Sequence, residues 1–282
     1  MRVVVVGALG QLGAAVVREF AGVHDVVALG RSDLDVTNDR DVAAAMARLG
    51  PEAIINCAAF NDVDGAEGRP VEALNVNSFS VRALAAAAVA HDVPLVHYSS
   101  DFVFDGTASA PYTEDDAPNP RSSYAASKLL GEWFAADAPK AYVLRVESLF
   151  GRAPGGPPAK GSVAAILNTL TAGGEARVFE DRTISPTYVI DAARATREIL
   201  DVRAPYGLYH LVNSGQCTWL ELARELAHRV GLEARLVPTR MTDMALRAQR
   251  PQYSVMSNEK LRALGIEMPP WQDAIARYVG QP

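Results

Sequence analysis

Four β-branched residues, Val3 to Val6, follow one another without a polar interruption, as expected of a strand buried on both faces. A glycine-spaced turn comes next and Leu12 to Phe20 carries helical spacing, so the chain opens strand, turn, helix. Further apolar runs predict strands at Asp25 to Leu29, Ala53 to Cys57, Pro94 to Tyr98 and Ala141 to Val146. Helical stretches separate them at Asp39 to Leu49, Val71 to Ala90 and Arg121 to Ala136. Strands that are apolar throughout and joined by helices predict an α/β chain built on a doubly wound parallel sheet.

The pattern changes after Gly151. Arg152 to Gly161 holds three prolines and three glycines, which reads as a loop. It divides a nucleotide-binding domain, residues 1–150, from a smaller mixed α/β substrate-binding part, residues 151–282. The second part carries helical patterns at Val163 to Thr171, Val189 to Leu200 and Trp219 to Val230. Segments near 177–212, namely Arg177 to Phe179 and Gly207 to Leu211, are expected to return strands to the first sheet.

Composition narrows the function. Apolar residues make up 49% and charged residues 21%, with a net charge of -6, and a chain so balanced lacks the clustered cations that nucleic acid requires. Cys57 and Cys217 lack the paired spacing of a metal or redox motif, and the five histidines are scattered, so no metal is expected. Met1-Arg2 leads straight into a strand, leaving no room for a signal peptide, and the apolar run at Ala83 to Ala90 is too short to span a bilayer. A cytoplasmic protein without a membrane partner is expected.

Gly7, Gly10 and Gly13 form G-x-x-G-x-x-G between the first strand and first helix. There the backbone must turn sharply, approach a pyrophosphate and pack helix on strand, with the helix N-terminus facing the negative charge. The second strand ends Ala28-Leu29-Gly30-Arg31-Ser32. Arg31 with Ser32 suits a ribose 2′-phosphate, which favours NADP(H) and leaves NAD(H) as the alternative; Asp33 and Asp35 partly oppose this, unless Asp35 faces the adenine.

The fourth strand leads into Ser99-Ser100-Asp101, and Tyr124-Ala-Ala-Ser-Lys128 follows on a helix, where residues four apart share a face. Asn119-Pro120 offers that helix a cap and a first-turn proline, with Glu114 to Asp116 in the loop before it. Reduction of a carbonyl needs a hydride at carbon and an acid at oxygen. A cation ~4 Å away at an effective dielectric of ~20 stabilises a phenolate by ~4 kcal/mol, so Lys128 is expected to draw the phenol of Tyr124 down toward neutrality while Ser100 steadies the developing charge.

These motifs resemble the extended short-chain dehydrogenases of Rossmann fold, most closely the dTDP-4-dehydrorhamnose reductase family, over nearly the whole chain. The similar segments are G-A-L-G-Q-L-G at Gly7 to Gly13, L-D-V-T at Leu34 to Thr37, I-I-N-C-A-A-F-N-D-V-D-G-A-E at Ile54 to Glu67 and V-N-S at Val76 to Ser78. They continue with S-S-D-F-V-F-D-G at Ser99 to Gly106, Y-A-A-S-K-L-L-G-E at Tyr124 to Glu132, D-R-T-I-S-P-T at Asp181 to Thr187 and R-P-Q-Y-S at Arg250 to Ser254. The resemblance implies a catalytic set of Ser100, Tyr124 and Lys128. It implies a cofactor site of Gly7, Gly10, Gln11, Leu12, Gly13, Arg31, Asp35, Val36, Ala58, Ala59 and Asn75, besides Tyr124 and Lys128. A nucleotide sugar would lie near Asn61, Val63, Asp101, Phe102 and Arg250, and its 4-keto group would be reduced, as in dTDP-4-dehydro-L-rhamnose to dTDP-L-rhamnose.

The chain departs from the family pattern at Phe60-Asn61, at Phe102 and at Val146-Glu147-Ser148, where the family carries a tryptophan that meets the sugar. A 4,6-dehydratase is disfavoured because Phe102 stands where its glutamate would be. An epimerase with tightly held NAD, a regulatory subunit like the methionine adenosyltransferase β subunit, and a homodimeric assembly stay open. Glu67 is read as a solvated carboxylate rather than a cation ligand.

Overall fold

In the computed structural model, which describes residues 1–280 apart from Ala234, Val3 and Val5 enter one core while Val4 and Val6 enter another, all of them buried. This strand, β1 (Arg2–Val6), lies inside a six-stranded sheet with β2 (Asp25–Leu29), β3 (Ala53–Asn56), β4 (Leu95–Ser100), β5 (Ala141–Val146) and a late strand. Four short strands come between: β6 (Leu149–Phe150), β7 (Ala176–Phe179), β8 (Thr183–Ile184) and β9 (Thr187–Tyr188). The late strand is β10 (Gly207–His210), followed by β11 (Cys217–Thr218) and β12 (Leu236–Thr239). The large sheet is parallel throughout in the order β10-β5-β4-β3-β1-β2.

Its helices are α1 (Gln11–Ala21), α2 (Asp39–Leu49), α3 (Val63–Gly68), α4 (Pro70–Leu74), α5 (Ser80–His91) and α6 (Ser123–Ala136). Then come α7 (Ser162–Thr171), α8 (Val189–Asp201), α9 (Trp219–Arg229), α10 (Glu259–Arg262) and α11 (Trp271–Val279). One face of the sheet carries α1 and α8, and the other α2, α5 and α6. Both faces are therefore covered over the inner strands, as a parallel sheet requires, with the edge strand β2 partly exposed, and the fold is a doubly wound Rossmann sheet with smaller sheets appended.

Four details differ from the sequence reading. The expected helix at Val71 to Ala90 is α4 and α5 joined by a π turn, Asn75–Phe79. The extra residue in this turn lets Asn77 and Ser78 both face inward: Asn77 bonds both main-chain groups of Phe60 and the Ser127 hydroxyl, and the Ser78 hydroxyl donates to Ser127 O. The run Pro70–His91 is long and apolar enough to span a bilayer, with a mean hydropathy of 1.2, yet 56% of that window is buried within the fold.

Helix α6 begins at Ser123, not at Pro120. Ser122 caps it by accepting from Ala125 N at 3.2 Å, while Asn119 donates to Asp105. Glu67 is no idle surface group: its carboxylate accepts from Ser123 N at 2.7 Å and satisfies a first-turn donor of α6.

Of the two segments expected to rejoin the first sheet, β10 does, beside β5, whereas β7 pairs with β12 in a separate two-stranded sheet. In β7, Ala176 and Val178 are buried and Arg177 is exposed. That is a strand with one wet face, unsuited to the centre of a doubly covered sheet. It lies over a third core that includes Val163, Ile166, Trp219, Leu222 and Trp271. The far end of the segment expected at 151–282, Gln281 and Pro282, lies outside the described residues, as does Ala234.

A buried ion pair ties α6 to the sheet: Arg145 on β5 meets both carboxylate oxygens of Glu132 at 2.8 and 2.7 Å. Removing one partner strands a buried charge, so Glu132→Ala or Arg145→Ala is expected to cost ~3–5 kcal/mol in urea unfolding. Glu132→Leu combined with Arg145→Met is expected to cost much less than either; equal losses in all three would show that the pair is not what binds helix to sheet there.

Candidate functional site

The order of strands fixes where a ligand can lie. From β1 the chain moves outward to β2, then crosses back to β3 on the other side of β1, so the sheet changes winding direction between β1 and β3 and leaves a crevice at their carboxyl ends. Gly7, just past β1, has φ +75°, and a Cβ there would stand 2.5 Å from Ala58 N just past β3. A Cβ on Gly13 would stand 2.2 Å from Gly7 O, and one on Gly10 3.3 Å from the same oxygen. These glycines allow backbone to touch backbone where a pyrophosphate must come close.

The chemistry of the donor set fits a dinucleotide. Helix α1 has no side-chain cap and no acid in its first turn, so its N-terminal N–H groups and dipole are available to an anion. Leu12 is spent on the core, and Gln11 accepts from Lys160 N at 3.0 Å, fastening the Pro/Gly loop beside the crevice. Ala58 and Ala59 are half-buried at its wall, and Ala58 N donates to Asn56. Arg31 is exposed just past β2. Asp33 is turned back to accept from Gly30 N at 2.8 Å, and Asp35 accepts from Thr37 N and its hydroxyl. The Thr37 hydrogen bonds chiefly, with a smaller contribution from Arg31, hold the Asp35 carboxyl below its ordinary pKa. Val36 is half-buried against the core. Asn75 is exposed at the start of the π turn, and it is Asn77 that points inward.

On the other side of the crevice, α6 presents Tyr124 and Lys128 to the end of β4, both buried. Lys128 Nζ donates to Tyr98 O at 2.6 Å. Burial pulls this lysine down to about 8, while Glu132 and Cys57 act to keep it charged. Tyr124 is pushed above the ordinary tyrosine range by burial first and by the charge of Asp101 second, opposed by a hydrogen bond with Ser100. The expected lowering by Lys128 is thus not what the structure displays: the ammonium is engaged by a β4 carbonyl, and burial dominates the phenol. For a reduction this is no handicap, since the acid must begin protonated and an alkoxide is far more basic than a phenolate. Ser100 donates to Asp101 Oδ1 at 2.9 Å and accepts from Phe102 N at 3.2 Å.

The substrate side is brought together in part. Phe102 meets Tyr124 edge to face at 5.4 Å, and Val63 and Phe60 join the same apolar cluster. Asn61 is exposed at the rim. Arg250 is bound to Asp64, Nη2 to Oδ2 at 2.7 Å, and these hydrogen bonds hold Asp64 down to about 2. Arg250 therefore clips the C-terminal segment to α3. Sequence reasoning overlooked Arg182 and Ser254, although both lie in segments similar to the family's, and took Glu147 only as a departure from pattern. All three are buried beside Asp101.

A family model described as RmlD substrate binding domain matches residues 1–281. The dTDP-4-dehydrorhamnose reductase of Streptomyces griseus is 35% identical over 278 residues, covering 94% of this chain and 88% of that protein. The probable dTDP-4,6-dihydroxy-2-methyloxan-3-one 4-ketoreductase of Streptomyces antibioticus is 36% identical over 282 residues, covering 98% and 93%. Among solved structures, the dTDP-4-dehydrorhamnose reductase of Bacillus anthracis in complex with NADP has a TM-score of 0.93 at 30% identity, covering 99% of this chain and 98% of that one.

Gly7→Ala combines a positive φ with a clash against fixed backbone, so it is expected to cost at least ~2 kcal/mol and to abolish NADPH binding. Gly10→Ala is expected to cost under ~1 kcal/mol in stability. Thermal melting with a nucleotide fluorescence titration separates the two; a Gly7→Ala protein that melts and binds as wild type would contradict the close approach.

Proposed function

The chain belongs to the RmlD substrate binding domain family, and on that premise we propose that it reduces the 4-keto group of a nucleotide-linked deoxysugar with NADPH, with dTDP-4-dehydro-L-rhamnose as substrate and dTDP-L-rhamnose as product. The carrying observation is that an acid and a cation on one helix, Tyr124 and Lys128, are buried against the end of β4, Tyr124 beside the Ser100 hydroxyl and Lys128 on the Tyr98 carbonyl. NADPH, when bound, supplies the hydride. The curated relatives named as reductases of such sugars, and the NADP held by the Bacillus anthracis enzyme, support both substrate class and cofactor.

In this reading Tyr124 holds the proton that passes from Oη to the oxygen of the former keto group, converting it to a hydroxyl. Lys128 keeps a positive charge close by to steady the phenolate left behind. Ser100 donates to the same oxygen as charge develops on it. Arg31, at the end of β2, lies where a 2′-phosphate is recognised, and the uncapped start of α1 takes the pyrophosphate. Phe102, Val63 and Phe60 form an apolar wall for the 6-deoxy part of the sugar. A dehydratase would need a second carboxylate beside Asp101 as base; Phe102 occupies that position, and Glu147, the other carboxyl next to Asp101, has both oxygens bonded, to Ser185 N and to the Ser254 hydroxyl. We assign this reaction to the cytoplasm.

Tyr124→Phe and Lys128→Met are each expected to lower kcat by ~10²–10⁴-fold, with NADPH binding retained in Tyr124→Phe. NADPH consumption with dTDP-4-dehydro-L-rhamnose is the measurement, and wild-type turnover in either variant would refute the assignment.

The lysine also sets a pH limit. Its pKa of about 8 means that the charge is present below that pH and lost above it, so kcat/KM is expected to decline as pH rises through about 8. A base whose folded pKa is depressed favours folding more, not less, as pH climbs from there toward its unfolded value. The decline therefore cannot be ascribed to unfolding driven by this group, and circular dichroism at each pH checks that separation.

A further inference from the structure

Glu147 is a buried carboxyl beside the site to which the reaction above gives no task. It stands one residue past β5, whose Val146 is in register with Ser100, and it is 1% exposed. Its Oε2 accepts from Ser185 N at 2.7 Å and its Oε1 from the Ser254 hydroxyl, while its own N–H donates to Thr187 Oγ1 at 3.2 Å. Asp101 is buried next to it. Asp101 Oδ1 takes the Ser100 hydroxyl, and Oδ2 has no hydrogen-bond partner among the described residues, with Arg182 Nη2 at 3.5 Å.

The groups facing this pair can be counted. Arg182 is its direct counter-charge; Arg250 lies further off and is bound to Asp64. Tyr124 faces Asp101, while Cys217 and Tyr253 face Glu147, and burial pushes all three above their ordinary pKa values, so none adds charge at neutral pH. Two carboxyls therefore share one guanidinium in a dry volume. A second uncompensated charge there is costly, and retaining one proton removes it. Both carboxyls are accordingly raised, Glu147 well above the usual range, by burial in the first place.

Ser100 has one hydrogen and two lone pairs. One lone pair is taken by Phe102 N and the hydrogen by Asp101, so in that arrangement nothing is left to donate to a substrate. We propose that Asp101 and Glu147 hold a single proton between them, and that this proton decides whether the Ser100 hydroxyl donates to Asp101 or to the keto oxygen of the substrate. When the proton sits on Asp101 Oδ1, the aspartic acid donates to Ser100, and the serine hydrogen turns to the substrate. The Ser254 hydroxyl, whose one hydrogen goes to Glu147, also lies near Asp101 and so stands between the two carboxyls. Glu147 is thus a positioning residue acting through Asp101 on Ser100, and its role rests on the reading of Ser100, Tyr124 and Lys128 given above.

The test is kcat and KM against pH with saturating NADPH and dTDP-4-dehydro-L-rhamnose for wild type, Glu147→Gln, Glu147→Asp, Ser100→Ala and the Glu147→Gln/Ser100→Ala double variant. Glu147→Gln leaves Asp101 alone with Arg182 and hence ionised. It is expected to lower kcat about tenfold at neutral pH with KM within about twofold, and to move the descending limb toward acid by about one pH unit or more. Glu147→Asp is expected to restore most of the rate and the limb. Added to Ser100→Ala, Glu147→Gln is expected to change nothing further, since both act through one hydrogen. A Glu147→Gln profile with an unmoved limb, or losses that multiply in the double variant, would overturn the proposal.

Infrared spectra provide an arm independent of Glu147 variants. Wild type at neutral pH is expected to show the carbonyl stretch of a protonated carboxylic acid that Asp101→Asn alters, and absence of that band overturns the shared proton. If Ser100→Ala keeps the wild-type rate, the catalytic reading itself fails, which distinguishes that failure from one confined to Glu147.

Discussion

Helix α6 is seated so close to its neighbours that position 131 admits no side chain: a Cβ on Gly131 would lie 2.2 Å from Asn77 O in the π turn. Everything chemical in the site follows from this approach. It takes the face bearing Tyr124, Ser127, Lys128 and Glu132 out of water, and it is possible because the π turn directs Asn77 and Ser78 at α6 and satisfies the polar groups that would otherwise be stranded there. Desolvation then sets the protonation states. It holds Tyr124 as an acid, brings Lys128 to the edge of its charged range and forces the carboxyls around Asp101 to economise on charge.

Charge is distributed in the interior by pairing rather than by abundance. Glu132 is shared between Arg145, which it binds through two hydrogen bonds, and Lys128, whose charge it helps to keep. Arg145 also lies 4.9 Å from the ring centre of Phe104, so a second attraction fixes the guanidinium on the sheet. Arg182 plays the same part across the crevice, with Asp101 on one side and the ring of Phe102 at 5.4 Å on the other. Both arginines use planar guanidinium groups against carboxylate and aromatic partners, a geometry that lysine does not reproduce.

Much of the fold was legible because its signals are local. Strand β1, the glycine turn and α1 are written in the consecutive residues Arg2 to Ala21, and the apolar runs of β3 and β5 announce strands covered on both faces. Tyr124 and Lys128 were readable from a spacing of four on a helix. What failed to appear depends on contacts far apart in sequence. The π turn arises because Asn77 meets Phe60 and Ser127, and the start of α6 because Glu67 reaches Ser123. Arg182 and Ser254 are ordinary residues until Asp101 and Glu147 are brought beside them from β4 and β5. The sense of the Lys128 effect on Tyr124 was misjudged for a related reason: a pairwise Coulomb argument omits the cost of burying the phenol, and here that cost is the larger quantity.

The chain carries net negative charge, yet the family to which it belongs acts on anionic nucleotides, and the structure reconciles the two without a basic surface. Among the cations at or near the crevice are Arg31, Lys128, Arg182 and Arg250. Three of them face oxygens of the protein itself, at Tyr98, Asp101 and Asp64. In the proposed reading, recognition of phosphate falls chiefly to backbone, the bare N–H groups at the start of α1 and the glycines that let a ligand reach them. A backbone dipole cannot be titrated or reoriented by a change of side chain, so the start of α1 offers an anion the same donors at any protonation state of the protein. The catalytic half is built from buried side chains whose charges depend on one another, and pH sensitivity belongs there.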